Sequence, residues 1–225
     1  MEDKRLTLFA GHYGSGKTNI AVNYALALAR EGKKVCIADL DIVNPYFRTK
    51  DSFEELSAAG VELISPRYAN TNVDLPALPA ESYRLAQDKS VFGIMDIGGD
   101  DRGAYALGRF VPAIKEEDNY RMAFVVNCYR PLTTTAEDTL EIMKEIEAAC
   151  GLKFTCIVNN SNIGEETTPE DVMNSLGYVE RLCELTGLQL WLHTAEKSVA
   201  EKLSIPNVMP LKLQSKYFGL PAGRG

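Results

Sequence analysis

The sequence has 225 residues, of which 45% are hydrophobic and 24% are charged, and its formal net charge is -7. These proportions are typical of a folded globular chain and argue against disordered, collagen-like and coiled-coil classes. The acidic balance argues against a broad nucleic-acid surface, because displacing counterions from phosphates requires a basic face. We therefore expect one globular domain over residues 1–225.

The chain carries no signal of a membrane or secreted protein. No apolar run is long enough to cross a bilayer, and the opening residues MEDKRLTLFA lack the features of a signal peptide. Its cysteines are odd in number, lie in apolar segments and form no C-x-x-C pair, which favours buried free thiols over a disulfide frame or a zinc site. They are Cys36, Cys128, Cys150, Cys156 and Cys183. We expect a cytoplasmic protein that does not insert into membranes.

The first elements along the chain, residues 6–29, have the pattern of an apolar strand, a glycine-rich turn and an alanine-rich helix. The turn, GHYGSGKT, fits the phosphate-binding pattern G-x-x-x-x-G-K-[ST]. Its glycines allow backbone N–H groups to face phosphate oxygens, its lysine adds a charge for the β and γ phosphates, and its threonine hydroxyl can bind Mg²⁺. The predicted contacts are Gly11, His12, Tyr13, Gly14, Ser15, Gly16, Lys17 and Thr18.

Beyond this helix, which Gly32 ends, strands alternate with helices. The apolar segments after KKVCIADLD lie at 61–65, 91–96, 122–127, 154–159 and 188–193. Continuous apolar strands separated by helices are typical of a mostly parallel sheet covered on both faces. We therefore predict an α/β fold, a P-loop NTPase with about seven or eight strands and helices on both faces.

Two of the helices have recognisable ends. For the first, Thr134 and Glu137 have the spacing of a capping box, and Gly151 is placed to terminate the helix. For the second, Thr168 precedes a proline and is the expected N-cap, and the helical pattern runs to about Thr186.

Polar residues follow several strands, at the sheet edge where α/β proteins bind ligands. Asp39 and Asp41 follow the second strand. Asp96 closes the fourth strand and is followed by glycines, which is the Walker B arrangement: the carboxylate can hold a Mg²⁺-bound water, and Gly98 or Gly99 can approach the γ-phosphate.

Two asparagines follow the sixth strand. Asn159 and Asn160 are able to present an amide to a nucleobase edge, but asparagine-rich turns are also common for backbone reasons alone. The sequence leaves both interpretations open. A guanine preference is not expected, because the run NNSN lacks the acid of an N-K-x-D motif.

The motifs GHYGSGKT, DLD, DIGG and VNN, in this order over nearly the whole chain, resemble the MinD/ParA/Mrp group of P-loop ATPases, of the SIMIBI class. Asn23 also fits that family's pattern in the first helix. The resemblance implies that ATP and Mg²⁺ bind through Lys17 and Thr18. It further implies that Asp39 supports the metal and that Asp41 orients the attacking water.

The same resemblance implies that Asp96 is the Walker B acid and that Asn159 contacts adenine. The family's loop begins with a lysine that reaches the partner's nucleotide across a dimer, and here that position is His12, followed by Tyr13. A neutral imidazole does not replace a permanent ammonium at pH 7. We therefore expect slow hydrolysis and a monomer or weak homodimer.

Three functions fit these observations. The first is a Mg²⁺-dependent ATPase that acts as a nucleotide switch on an unknown protein client and cycles between ATP and ADP. The second is an ATP-dependent synthetase or small-molecule kinase of the dethiobiotin synthetase type, for which residues 65–82 would line a substrate pocket. The third is a regulator that binds nucleotide without hydrolysing it.

Overall fold

A single sheet organises the chain in the computed structural model, which describes residues 3–40, 53–64, 83–99 and 107–213. Its strands are β1 (Leu6–Ala10), β2 (Val35–Leu40), β3 (Glu62–Ile64), β4 (Phe92–Ile97), β5 (Tyr120–Val126), β6 (Cys156–Asn159), β7 (Gln189–Glu196) and β8 (Val208–Leu211). The eight strands have the order β3-β2-β4-β1-β5-β6-β7-β8. Every pairing is parallel, which confirms the predicted sheet.

Helices cover both faces of this sheet. In the described ranges they are α1 (Lys17–Arg30), α2 (Phe53–Ala58), α3 (Tyr83–Gln87), α4 (Val111–Glu117), α5 (Ala136–Cys150), α6 (Pro169–Asn174), α7 (Leu176–Thr186) and α8 (Lys197–Ala200). One apolar core joins the sheet to α1 and α2. The other joins it to α3, α4, α5 and α7. The predicted α/β architecture is therefore confirmed.

The core beneath α1 contains an aromatic group that fixes the helix on the sheet. Phe9 of β1 stacks on Trp191 of β7, with ring centroids 6.1 Å apart. Tyr24 of α1 meets Trp191 edge to face at 5.3 Å. The guanidinium of Arg121 lies 3.9 Å from the centre of the Trp191 ring, a cation–π contact. These contacts hold α1, and with it the glycine turn before it, in a fixed position.

One predicted capping box is wrong by one residue. The N-cap of α5 is Thr135 instead of Thr134, and its Oγ1 accepts a hydrogen bond of 3.1 Å from the Asp138 backbone. Thr135 Oγ1 also donates to the Asp138 carboxylate at 2.6 Å, so Asp138 takes the place in this contact that we assigned to Glu137. The predicted end at Gly151 is confirmed, with φ at 72°.

The helix predicted from Thr168 to about Thr186 is two helices. Thr168 is the N-cap of α6 as expected, and the structure adds a capping box between Thr168 and Asp171. Ser175 interrupts the helical run between α6 and α7, and its side chain is fully buried. Its Oγ donates to the Val172 carbonyl and accepts from the Asn159 amide, so a tertiary contact fixes the break.

The last strand was not among the predicted segments, because β8 contains a proline. Pro210 is tolerated there because β8 is an edge strand that pairs only with β7, so no ladder bond is required on its outer side. Residue Asn207, just before the strand, has a positive φ of 58°. In the part of the chain that the structure covers, no helix is both long and apolar enough to cross a membrane.

Candidate functional site

The loop between β1 and α1 has a backbone that only glycine fits at two points. Gly11 has a φ of 153°, and a Cβ there would lie 2.2 Å from the Val125 carbonyl oxygen of β5. Gly16 has a φ of 91°, and a Cβ there would lie 2.2 Å from the Asn160 side-chain nitrogen. Both positions combine an unusual φ with close packing. The loop is therefore shaped by the neighbouring strands as well as by its own sequence.

Three carbonyl groups of this loop are held by side chains. Lys17 Nζ donates to the His12 carbonyl at 3.1 Å. Arg130 Nε donates to the Gly14 carbonyl at 3.2 Å. Asn160 Nδ2 donates to the Ser15 carbonyl at 2.7 Å. Fixing the carbonyls fixes the peptide planes, and the loop continues directly into the N-terminus of the 14-residue helix α1, which favours an anion.

Lys17 lies at the centre of the loop and also borders the end of β4. Its side chain is 6% exposed. A Cβ at Gly99 would lie 3.0 Å from Lys17 Nζ and 2.7 Å from the Tyr13 backbone nitrogen. The chain at Gly99 therefore packs directly against the loop, and Gly98 before it is buried. The predicted neighbourhood of the lysine and the two glycines is present.

The two predicted acids, Asp39 and Asp96, are side by side. They are register partners on β2 and β4, and they are 1% and 0% exposed. Phe9 of β1 is the partner of Asp96 on its other side, and it packs in the core beneath α1. Because register partners share a face of the sheet, both carboxylates point to the α1 face, where Thr18 lies in the first turn.

These groups form a donor set that suits magnesium. Carboxylate and hydroxyl oxygens are hard ligands, and Mg²⁺ is commonly held by one or two carboxylates together with substrate phosphates. Across the described ranges, no group of three or more His, Cys, Asp and Glu side chains could hold a metal ion alone. The residues thus fit a Mg²⁺ ion that binds together with the phosphates.

Asp41, predicted to orient water, lies outside the described residues, as do Arg48, Arg102 and the proposed substrate loop 65–82. Their roles stay predictions. The single domain expected over residues 1–225 also stays a prediction.

Asn159, the last residue of β6, and Asn160, which follows it, both make hydrogen bonds within the protein. Asn159 is 1% exposed, and its amide contacts Ser175 Oγ at 2.8 Å, His193 Nδ1 at 3.2 Å and the Ser161 backbone nitrogen at 3.2 Å. Asn160 donates a hydrogen bond to the Ser15 carbonyl and accepts one of 2.7 Å from Thr194 Oγ1. The predicted contact of Asn159 with a base stays untested.

The sequence analysis missed the segment that follows β5. Asn127 is fully buried and joins this loop to the next one, since its side chain bonds the Asn162 carbonyl at 3.0 Å and the Asn162 nitrogen at 3.2 Å. Arg130 reaches the phosphate-binding loop itself. The signal was a polar run, NCYRP, at the end of a strand that neighbours β1.

His12 and Tyr13 occupy the positions where the sequence departs from the resembling family. His12 is half-buried, and burial followed by the positive charge of Lys17 lowers its pKa. Its imidazole is therefore neutral at pH 7 in the absence of a ligand. Tyr13 is 58% exposed, which leaves its ring at the surface beside the loop.

Comparison with known proteins agrees with this geometry. The family of CobQ/CobB/MinD/ParA nucleotide binding domains matches residues 6–181. Among solved structures, the cell division protein FtsY from Thermotoga maritima is similar with a TM-score of 0.61 at 19% identity, covering 86% of this chain and 62% of that one. A comparison with curated proteins found no match.

Two further structures were solved with GDP. The signal recognition particle receptor FtsY from Elizabethkingia anophelis has a TM-score of 0.53 at 16% identity, covering 90% of this chain and 59% of that one. The 54 kDa signal recognition particle protein from Aeropyrum pernix K1 has a TM-score of 0.54 at 17% identity, covering 85% and 41%. The chain therefore spans less than two thirds of these proteins, and the likeness shows the fold.

Proposed function

Since the chain belongs to the CobQ/CobB/MinD/ParA family of nucleotide-binding domains, we propose that it is a Mg²⁺-dependent ATPase acting as a nucleotide switch on a protein client. The observation that carries the proposal is the packing of Gly99 against Lys17 and Tyr13. A γ-phosphate at Lys17 would touch the chain after β4. Binding and loss of that phosphate would therefore act on this segment, as in other nucleotide switches.

Each residue of the site has a role in this proposal. The backbone from Gly11 to Thr18 binds the phosphates, and Lys17 neutralises charge on the β and γ phosphates. Thr18 and Asp96 would hold Mg²⁺, and Asp39 would support them. When bound, Mg²⁺ supplies positive charge that stabilises the leaving phosphate. Asp41 orients the attacking water.

The neutral side chain of His12 is a reason to expect slow turnover of ATP. Lys17 and burial keep its imidazole neutral when no nucleotide is bound, so the loop lacks the second fixed cation that the resembling ATPases bring from a partner subunit. Charge on the transferring phosphate is then less well stabilised, and such cations are worth orders of magnitude in rate. We therefore propose a monomer or weak homodimer with slow basal hydrolysis.

Binding and turnover of nucleotide test the proposal. Calorimetric titration of the wild type should show ATP binding that Mg²⁺ strengthens. Lys17→Ala should weaken that binding roughly tenfold to a hundredfold, because a charge-assisted hydrogen bond contributes about 1.5 to 3 kcal/mol. Lys89→Ala removes an exposed lysine before β4 and serves as the control. Equal ATP affinity in the wild type and Lys17→Ala contradicts the proposal.

Phosphate release without any added substrate separates the three candidate functions. A slow but measurable release that stops in Lys17→Ala supports an ATPase. Release that requires a small-molecule acceptor supports a synthetase or kinase instead. No release, with ATP bound intact, supports a regulator that does not hydrolyse nucleotide.

A further inference from the structure

The position of the base follows from how the site is divided by β1. On one side of this central strand, β4 and β2 carry Asp96 and Asp39, and Gly99 lies beside Lys17. On the other side lie β5, β6 and the loops that follow them. A nucleotide whose metal and terminal phosphate occupy the first side extends its base over the second side, at the carboxyl ends of β5 and β6.

On that second side, Asn159 has little capacity left to read a base. Both hydrogens of its amide nitrogen have internal partners, Ser175 Oγ at 2.8 Å and His193 Nδ1 at 3.2 Å. Its oxygen accepts from the Ser161 backbone. With 1% exposure, its amide would have to leave this network in order to contact a ligand.

Asn160 is committed in a similar way. It is 4% exposed and bridges the Ser15 carbonyl of the phosphate-binding loop to Thr194 of β7, with both bonds at 2.7 Å. Breaking either bond would leave a buried polar group without its partner, which is unfavourable. Asn160 therefore positions the loop.

In the described ranges, Arg130 is the cation of the loops that follow β5 and β6. Its Nε donates to the Gly14 carbonyl, and its backbone is held in a turn, where Arg130 N bonds the Asn127 carbonyl and Thr133 N bonds the Arg130 carbonyl, both at 3.2 Å. Within the described ranges, its two terminal nitrogens have no hydrogen-bond acceptor. Because the bond to Gly14 lies in the plane of the guanidinium, it does not occupy the flat faces of this partly exposed side chain, and such a face can stack on an aromatic ring.

We propose that the base of the bound nucleotide stacks on the guanidinium of Arg130 and is not read by the asparagine amides. This inference rests on the proposed function, since it concerns the nucleotide at that same site. A guanidinium face recognises any aromatic ring and does not distinguish the edges of adenine and guanine. ATP and GTP should therefore bind with affinities within about tenfold of each other.

Calorimetric titrations with ATP, GTP and inorganic tripolyphosphate, all with Mg²⁺, test the inference. Arg130→Ala should weaken ATP and GTP roughly 3- to 30-fold, the range of a cation–π contact. Tripolyphosphate, which has no base, should lose clearly less affinity than ATP in this variant, because it loses only the support that Nε gives to the Gly14 carbonyl. Arg130→Lys keeps the charge without the flat face, so it should keep tripolyphosphate binding while losing part of the ATP affinity.

The control is Arg84→Ala, which removes an exposed arginine of α3 that pairs with Glu62. An equal loss for tripolyphosphate in both Arg130 variants would overturn the inference in favour of a phosphate contact. Unchanged ATP affinity in Arg130→Ala would overturn it as well, as would a strong preference for one purine that Asn159→Ala abolishes. Failure of the proposed function looks different, because Lys17→Ala then leaves ATP binding unchanged.

Discussion

The phosphate-binding loop lies between two regions of opposite character. The carboxylate side, formed by Asp39, Asp96 and Gly99, brings two buried acids together on neighbouring strands and places Gly99 beside Lys17. The amide side is formed by residues of the loops after β5 and β6, namely Asn127, Asn159, Asn160 and Asn162. Its side chains are neutral and bond mostly to backbone groups. Their side-chain partners are Ser175, His193 and Thr194.

This difference indicates that the amide side stabilises the structure, whereas the carboxylate side binds the ligand. Neutral hydrogen bonds satisfied inside the protein stabilise one conformation, because each broken bond leaves a buried polar group unpaired. Buried carboxylates are costly to desolvate and are retained where a cation or a ligand compensates them. We therefore expect substitutions on the amide side to reduce stability first and those on the carboxylate side to reduce nucleotide binding first.

The largest expected effect comes from adding a methyl group at Gly16 on the amide side. Gly16→Ala should lower the free energy of unfolding by about 4 kcal/mol, since it combines a left-handed backbone with a clash at the Asn160 nitrogen. Gly99→Ala, on the carboxylate side, should cost about 1 to 3 kcal/mol, because its Cβ would lie 2.7 Å from the Tyr13 backbone nitrogen, and it should also weaken ATP binding. Urea unfolding and calorimetry measure the two effects.

Gly187→Ala is the matched control for this pair. Gly187 also has a positive φ, 71°, but a Cβ there would meet nothing within 4 Å. The control therefore isolates the backbone cost, about 1 to 2 kcal/mol. Equal losses in Gly16→Ala and Gly187→Ala would show that the contact with Asn160 does not constrain the loop.

A smaller effect is expected at Asn127, which joins the two loops of the amide side. Asn127→Ala should lower the free energy of unfolding by about 2 to 3 kcal/mol, because it removes partners from the Asn162 backbone and from Tyr129 N. Asn162→Ala removes only bonds within its own loop and should cost less than about 1 kcal/mol. Similar losses in both variants would argue against a connecting role.

The smallest effect concerns pH. Burial lowers the pKa of His193, whose Nδ1 faces the Asn159 amide. Below the unfolded pKa of about 6.5, the unfolded chain binds a proton that the folded protein resists, so stability should fall as the pH decreases from 7 to 5.5, by at most about 1 kcal/mol. Urea unfolding at both pH values measures this loss.

His193→Asn keeps an acceptor near the same position but does not titrate, so the pH dependence should shrink. His12, whose pKa is also lowered, is the only other histidine in the sequence, and His12→Gln defines its share. An unchanged pH dependence in His193→Asn would mean that the buried imidazole is not the group that titrates.

Features of the fold that depend on local sequence could be predicted from it. The glycine loop, the helix ends at Gly32 and Gly151 and the N-cap at Thr168 each depend on a few adjacent residues. The parallel sheet followed from apolar strands that alternate with helices. In these cases the backbone preference and the hydrophobic pattern agree, so no distant partner is needed to decide the structure.

Features that depend on distant partners were not predictable in this way. Ser175 breaks a helical pattern because its hydroxyl accepts a hydrogen bond from Asn159 of strand β6. Pro210 fits a strand only because that strand lies at the edge of the sheet. The role of Arg130 depends on the order of the strands, which places β5 next to β1 and thereby brings its loop to Gly14.

The same side-chain contacts imply an order of assembly during synthesis of the chain. The loop itself is complete once Thr18 has been made, but its supports come much later: Val125 O packs against Gly11, and Asn160 holds Ser15. Helix α1 is joined later still, when Asn23 exchanges two hydrogen bonds with the Lys212 backbone. A nascent chain that has not reached β5 therefore contains the whole phosphate-binding motif without the later contacts that fix its shape.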